Sequence, residues 1–429
     1  MSSYKDMGQE ELLEIKKGLE LHYKEIKCKK LNLDMTRGKP DLNQLNLGIG
    51  MLDVINSTSI FTGEDGVDFR NYGILDGIIE AKRLFADMID VKIENVLVAG
   101  NASLPLMYDR LINSMICGVM GHTPWCKLDK VKFLCPVPGY DRHFAMTEQL
   151  GIEMINVPML ADGPDMDIIE RLVAEDESIK GIWCVPKYAN PTGITYSDAV
   201  VRRFAALKPK AKDFRIYWDN AYCIHGLYED RQDSLLDILG ECEKAGNPDL
   251  VYIFFSTSKI SFSGSGVAGL AASINNLEAI KKQMSLQIVG YDKINQIRHV
   301  QFFKDANGLN AHMKKHAKIL RPKFDLVLEI LQRELQDTGI ADYIQPNGGY
   351  FISFDAMKNC AKKIVEKCHA VGIKMTAAGA TFPYGVDPMD KNIRIAPSYV
   401  AIEDLKVAME VFVVVTKLVS IEKILEARV

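Results

Sequence analysis

Residues 251–259 read VYIFFSTSK, five apolar residues closing on three hydroxyl-bearing residues and a lysine. A short apolar run without strict alternation, bounded by polar residues, predicts a strand covered on both faces. In an open α/β sheet, the residues just past the carboxyl ends of such strands line the ligand crevice, which makes Lys259 a candidate site residue. Taken alone, a lysine after a serine-rich strand end is more often simply solvated. Working outward, similar runs occur at Val96–Val98, Lys132–Cys135, Met154–Val157, Gly181–Val185, Arg215–Trp218 and Ala268–Ala272. From about residue 75 they alternate with helical stretches, which predicts an α/β fold with a mainly parallel, doubly wound sheet of seven strands.

At 429 residues the chain exceeds what one compact core accommodates, so two domains are expected. The α/β succession predicts a large domain over 51–300. Residues 8–28 predict an amphipathic helix, with Leu12, Ile15, Leu19 and Tyr23 at helical spacing. Beyond 276 the pattern turns to long helices and then to strand-like Tyr350–Phe354 and Asn392–Ile395. Residues 301–429 are therefore expected to form a smaller α+β domain together with residues 1–50.

With 48% hydrophobic and 25% charged residues, the composition is that of an ordinary globular protein. A net charge of −4 gives no electrostatic reason to expect nucleic acid, and the lysines at 27, 29 and 30 read as a solvated helix end. Nine cysteines without a C-x-x-C pair predict reduced thiols. The polar start MSSYKDMGQEELLEIKKGLE has no apolar signal core, and no apolar run reaches bilayer length, so no membrane contact and a cytoplasmic location are expected. No metal site is expected, since His225, His299 and His316 lack ligand spacing.

Three further segments share the placement of FFSTSK after an apolar strand: VLVAGNASL at 96–104, NPTG at 190–193 and YWDNAY at 217–222. Each has a plain reading by itself. NPTG is a turn by composition, Asp219 is a possible helix cap, and Gly100 marks a strand-to-helix turn. Their order along the chain carries more information than any one of them.

The set, with MTRGKPD, GYDKIN and TSKISF, resembles the fold-type I enzymes that depend on pyridoxal 5'-phosphate (PLP). More narrowly, it is similar to class I aminotransferases of the bacterial aspartate aminotransferase subfamily Ic, and the resemblance covers nearly the whole chain. It implies that Lys259 holds PLP as a Schiff base and shuttles the α-proton, while Asp219 holds a proton on the pyridine nitrogen. Asn190 and Tyr222 are implied at the cofactor's phenolic oxygen, and Tyr140 on the face of the ring. His143 is implied behind Asp219, although an isolated histidine in that place more often packs in a core. The phosphate is implied to rest on Gly100, Asn101 and Ala102 at a helix start, with Ser256 and Ser258. Tyr72 matches a tyrosine that reaches a neighbouring subunit's phosphate, which implies a homodimer with shared active sites. Arg394 in NIRIAPSY matches the arginine that forks onto the substrate α-carboxylate, with Gly38 in the loop that closes over it.

One departure stands out. The family carries an arginine shortly after the lysine to pair with the phosphate, whereas KISFSGSGVAGL has Gly266 or Val267 there. Ser263 or Ser265 is the expected substitute. The implied substrates are an amino acid and a 2-oxo acid, with aspartate and 2-oxoglutarate leading. A distal carboxylate would need a second cation: Arg37, Lys39, Lys293 and Arg298 are candidates, with Arg298 favoured. Rival expectations are β-elimination or decarboxylation on the same cofactor, or a regulator with an aminotransferase-like effector domain. The latter would need a helix-turn-helix module, and only one helix precedes TRGKPD. A nicotinamide dehydrogenase would need an early G-x-G-x-x-G, which is missing.

Overall fold

A computed structural model describes residues 3–428. Its strands, in chain order, are β1 Leu33–Asp34, β2 Val96–Val98, β3 Lys132–Val137, β4 Glu153–Leu160, β5 Gly163–Pro164, β6 Ile179–Cys184, β7 Arg215–Asp219, β8 Val251–Ser256, β9 Ala268–Ala271, β10 Ala341–Tyr343, β11 Ile352–Ala356, β12 Ile373–Lys374 and β13 Asn392–Ile395. The main sheet has the order β2-β9-β8-β7-β6-β3-β4-β5. All seven predicted strands are in it. The eighth, β5, is a two-residue return against the end of β4, too short to show any periodicity in sequence.

Strands β4, β3, β6, β7 and β8 run parallel. Antiparallel β9 lies between β8 and β2, so β2 points the same way as β8 and ends on the same edge. From β3 the chain builds outward through β4 on one side and through β6, β7 and β8 on the other. The point where the winding reverses is where an α/β sheet opens a crevice past its carboxyl ends.

Alternate side chains of each strand enter different apolar clusters. Leu134, Ile182, Ile216, Trp218 and Phe255 pack on one face. Phe133, Trp183, Tyr217, Tyr252 and Phe254 pack on the other. This two-residue period with both faces apolar is why the strands read as continuous hydrophobic runs.

A third cluster joins Leu12 and Ile26 of the helix Gln9–Cys28 to β11, β13 and the final helix Ile402–Glu426. The antiparallel sheet β10-β11-β13 belongs to this part. The helix Ala306–Leu335 spans both regions: Leu309 and Met313 pack with the main sheet, whereas residues from Leu320 onward pack in the third cluster. His312, beside Met313, and His316, between Met313 and Leu320, are both buried.

Candidate active site

Five segments leave the same edge of the sheet and converge. Gly100 follows β2, Tyr140 follows β3, Asn190 follows β6, Asp219 ends β7, and Ser256 ends β8 three residues before Lys259. Asp219 is buried, and its Oδ2 lies 3.0 Å from Nε2 of His143. His143 sits on the helix Asp141–Gln149 and stacks flat on Trp183, with ring centroids 4.2 Å apart and planes 9° from parallel. The Trp183 indole donates to Thr147 Oγ1, which itself donates to the His143 carbonyl. The imidazole is therefore fixed by stacking on one side and a carboxylate on the other.

The second carboxylate oxygen of Asp219, Oδ1, is buried with no hydrogen-bond partner. Leaving a charged acceptor bare costs more than the roughly 1–3 kcal/mol of a neutral group, so the site is built for a donor that arrives from outside. A protonated ring nitrogen fits this requirement.

Lys259 Nζ lies 4.8 Å from the centroid of the Tyr222 ring and 6.0 Å from that of Tyr350. Burial pushes its pKa down, and the negative charge of Asp219 partly opposes that. The result is a larger fraction of the free amine. The phenols of Tyr222 and Tyr140 are pushed up, chiefly by burial and further by nearby charge, Tyr140 to about 12. Both stay protonated and can donate.

Gly100 takes a left-handed φ of +64°, and Ala102 starts the helix Ser103–Cys117 without any side-chain cap. The first N–H groups of that helix are left for an anion. The loop after Lys259 closes the other side. A Cβ on Gly266 would lie 3.0 Å from Thr257 Oγ1, 3.1 Å from the Asn101 carbonyl oxygen and 3.3 Å from the Ser258 nitrogen, a tight approach that a glycine meets without displacing its neighbours. Asn101 Nδ2 donates to the Gly264 carbonyl at 3.4 Å, and Ser256 Oγ donates to Ser258 Oγ at 3.2 Å. Val267, which with Gly266 stands about the place of the family's arginine, accepts from the Thr257 backbone N–H at 2.8 Å and donates its own N–H to Thr257 Oγ1 at 2.9 Å.

Arg298, the favoured candidate for a distal carboxylate, rests on this loop within its own chain. Its Nη2 donates to Ser265 Oγ at 3.0 Å, while its buried Nε has no partner. Of the other candidates, Lys293 is buried and donates to the Gly73 carbonyl, Lys39 lies over the Tyr399 ring, and Arg37 is exposed.

Arg394, in β13, is buried. Its Nη1 reaches Asp141 Oδ1 at 3.0 Å and Asn190 Oδ1 at 3.3 Å, its Nη2 reaches Thr376 Oγ1 at 3.3 Å, and its Nε is bare. The guanidinium lies 4.8 Å from the Phe351 ring centroid. Gly38 covers the same ring so closely that a Cβ there would stand 2.1 Å from Phe351 Cζ. Gly38, Phe351 and Arg394 thus form one stack. Tyr72 stands apart, 85% exposed in the single chain. Among the described residues there is no group of His, Cys, Asp and Glu that could hold a metal, and no helix long and apolar enough to cross a membrane.

Sequence reasoning missed Trp183, Tyr350, Phe351, Thr376 and Asp141 as parts of the site. Asp141 carried a signal, being next to Tyr140 in PGYDRHF; the others sit in ordinary apolar or polar strings.

Residues 7–428 match the family model described as aspartate amino-transferase. An aspartate aminotransferase of Corynebacterium glutamicum is 42% identical over 409 residues, covering 95% of this chain and 94% of that protein. The crystal structure of an aspartate transaminase from C. glutamicum superposes with a TM-score of 0.96 at 42% identity, over 98% of this chain and 99% of that one. An aspartate aminotransferase of Thermus thermophilus, solved with maleate, shares the fold with a TM-score of 0.65 at 17% identity, over 93% of this chain and 96% of that one. The chain belongs to the aspartate aminotransferase family and is a PLP-dependent aminotransferase of fold type I.

Proposed function

We propose that the protein transfers the amino group of aspartate, or another acidic donor, to 2-oxoglutarate in a site held mainly by Lys259, Asp219, Tyr222, Asn190 and Arg394. The observation that carries this reading is the buried, unpartnered Oδ1 of Asp219 on the same sheet edge as a half-buried lysine of lowered pKa. When bound, PLP supplies a reactive carbonyl and a conjugated ring that accepts electron density from the substrate α-carbon.

The chain's own groups then have distinct tasks. Asp219 Oδ1 receives the ring N–H and keeps it protonated, and His143 holds the other oxygen in place. Asn190 Oδ1 is engaged by Arg394, which turns the Asn190 amide nitrogen outward as a donor, alongside the Tyr222 hydroxyl, for the phenolic oxygen. Tyr140 covers the ring. Lys259 Nζ would hold the cofactor, and its free amine would take the proton from the α-carbon. Burial favours its free amine, as proton abstraction needs.

Gly100, Asn101, Ala102, Ser256 and Ser258 form the phosphate cup. Arg298 supplies its positive charge through Ser265, in the role the family's arginine has left vacant. Arg394 takes the α-carboxylate under Gly38. The exposure of Tyr72 supports a homodimer in which it completes the neighbour's cup. The apolar cluster shared by the first and last helices supports residues 1–50 with 301–429 as the smaller domain beside 51–300. A cytoplasmic location fits the nine free thiols.

The test is a panel of amino donors with 2-oxoglutarate, read by the keto acid each releases. Oxaloacetate from aspartate at the highest kcat/KM is expected. Ammonia release without an acceptor would instead assign a lyase.

A further inference from the structure

Behind Lys259 lies a buried polar chain that the reaction scheme above does not use. Its centre is Gln44, fully buried in the short helix Leu42–Asn46 of the N-terminal segment. The Gln44 Oε1 accepts from the Asp41 backbone N–H at 3.2 Å, which fixes the amide's orientation and makes Nε2 the donor. Its two hydrogens have two acceptors, His316 Nδ1 at 3.2 Å and the Tyr350 hydroxyl at 2.9 Å.

The first branch ends on the backbone of Ile260, the residue after the lysine. With Nδ1 accepting, neutral His316 carries its hydrogen on Nε2 and donates to the Ile260 carbonyl at 3.0 Å. His312 Nε2 lies 2.8 Å from the same oxygen. The second branch ends under the lysine's side chain, since the ring of Tyr350 is 6.0 Å from Lys259 Nζ. One amide therefore holds, through His316, the carbonyl of the residue after Lys259 and, through Tyr350, a ring beneath its amine.

Gln44 is itself anchored. Asp41, the cap of its helix, accepts from Lys323 Nζ at 2.7 Å, and Lys323 also donates to the Ser398 carbonyl at 2.8 Å. Ser398 in turn donates to the Lys39 carbonyl, one residue from Gly38. The segment that covers Arg394 and the turn that bears Lys259 are thus joined by one continuous set of hydrogen bonds. A buried hydrogen-bonded network of this kind favours a single geometry, and losing a member leaves its partners unpaired.

We infer that Gln44, acting through His316 and Tyr350, is a positioning residue that ties the placement of the Gly38 segment to the aim of Lys259. The inference rests on the reading of Lys259 as the residue that fastens PLP. The other titratable groups facing the lysine, namely Asp219, Tyr222 and His225, come from residues 219–225, and the rings of Tyr222 and His225 pack on Tyr350 itself.

The test uses the PLP-loaded protein. In wild type, the pH titration of the visible absorbance band of lysine-bound cofactor checks the Lys259 reading independently. With Gln44→Leu, the slackened turn admits water, so the band's midpoint should move up by half a unit or more. kcat should fall about tenfold while KM changes less than twofold. Tyr350→Phe removes one branch alone and should give a smaller shift of the same sign, covering the case in which Gln44→Leu folds poorly. A titration midpoint unchanged in both variants, with only the melting temperature lowered, overturns the inference.

Discussion

Asp141 and Arg394 form an ion pair at the site, with Oδ1 3.0 Å from Nη1 and the Asp141 side chain 36% exposed. The same nitrogen is 3.3 Å from Asn190 Oδ1. A buried guanidinium needs a counter-charge, and Asp141 provides it. On the proposed role of Arg394, an incoming α-carboxylate would compete for the same fork. Replacing Asp141 with the isosteric asparagine removes the competitor's charge and leaves its shape. Because the pair is partly solvated, the gain is set at about 1 kcal/mol, or roughly fivefold. Asp141→Asn should therefore lower KM for both amino and oxo acids about fivefold. A higher KM would show that Asp141 orients Arg394 rather than occupying it.

Gly38 offers a second check on the same stack. The methyl group of Gly38→Ala would enter the Phe351 ring, which supports Arg394 from beneath. Overpacking of this kind costs about 1–3 kcal/mol. KM for every substrate with an α-carboxylate should rise about tenfold, and Phe351→Leu in the same chain should recover part of the loss. If steady-state kinetics of Gly38→Ala match wild type, the segment does not close over the carboxylate site.

Acid should loosen the turn that carries Lys259. His299 Nε2 is bonded to Ser261 Oγ at 2.8 Å and lies 3.2 Å from Thr257 Oγ1. Burial first, then the Arg298 charge, pushes its pKa down to about 4, against the Asn295 carbonyl, which raises it. The unfolded chain thus binds the proton more readily than the folded one. The stability contributed by neutral His299 is complete above pH 6.5, falls as the pH drops toward 4, and is fully lost below that. Between pH 7 and pH 5 this amounts to about 2 kcal/mol at 1.36 kcal/mol per pKa unit. Urea melts of wild type and His299→Gln at both pH values should show a smaller pH dependence in the variant. Equal slopes would mean that His299 does not contribute.

These residues also show what could be read from the sequence. Lys259, Asp219, Asn190 and Gly100 were legible because each follows a strand whose apolar run is plain, and strand ends of one sheet share an edge. The parts that hold them were not. Gln44 meets Tyr350 across 306 residues, and Arg394 meets Asp141 across 253, distances at which periodicity carries no signal. Arg298 was recognised as a useful cation, but its position followed from how the helix Lys293–Phe303 lies on the 264–266 loop. That docking is a tertiary fact, and it is the ground for proposing Arg298 at the cofactor's phosphate instead of at the substrate's far end.

That reassignment has a clean test. A phosphate monoester carries about −1.5 to −2 charges near neutral pH, and the cup around Gly100 offers N–H and hydroxyl donors but little charge of its own. Arg298, 3.0 Å from Ser265 Oγ with a bare buried Nε, is the guanidinium bonded to the loop. A charge-assisted hydrogen bond contributes about 1.5–3 kcal/mol, so Arg298→Gln should weaken PLP binding by roughly tenfold to a hundredfold. Pyridoxal, which lacks the phosphate, should bind wild type and variant alike. A distal-carboxylate role gives the opposite pattern: unchanged PLP affinity and a higher KM for aspartate than for a donor without a side-chain carboxylate. Equilibrium titration of the cofactor-free protein with both aldehydes, followed by kinetics on both donors, separates the two.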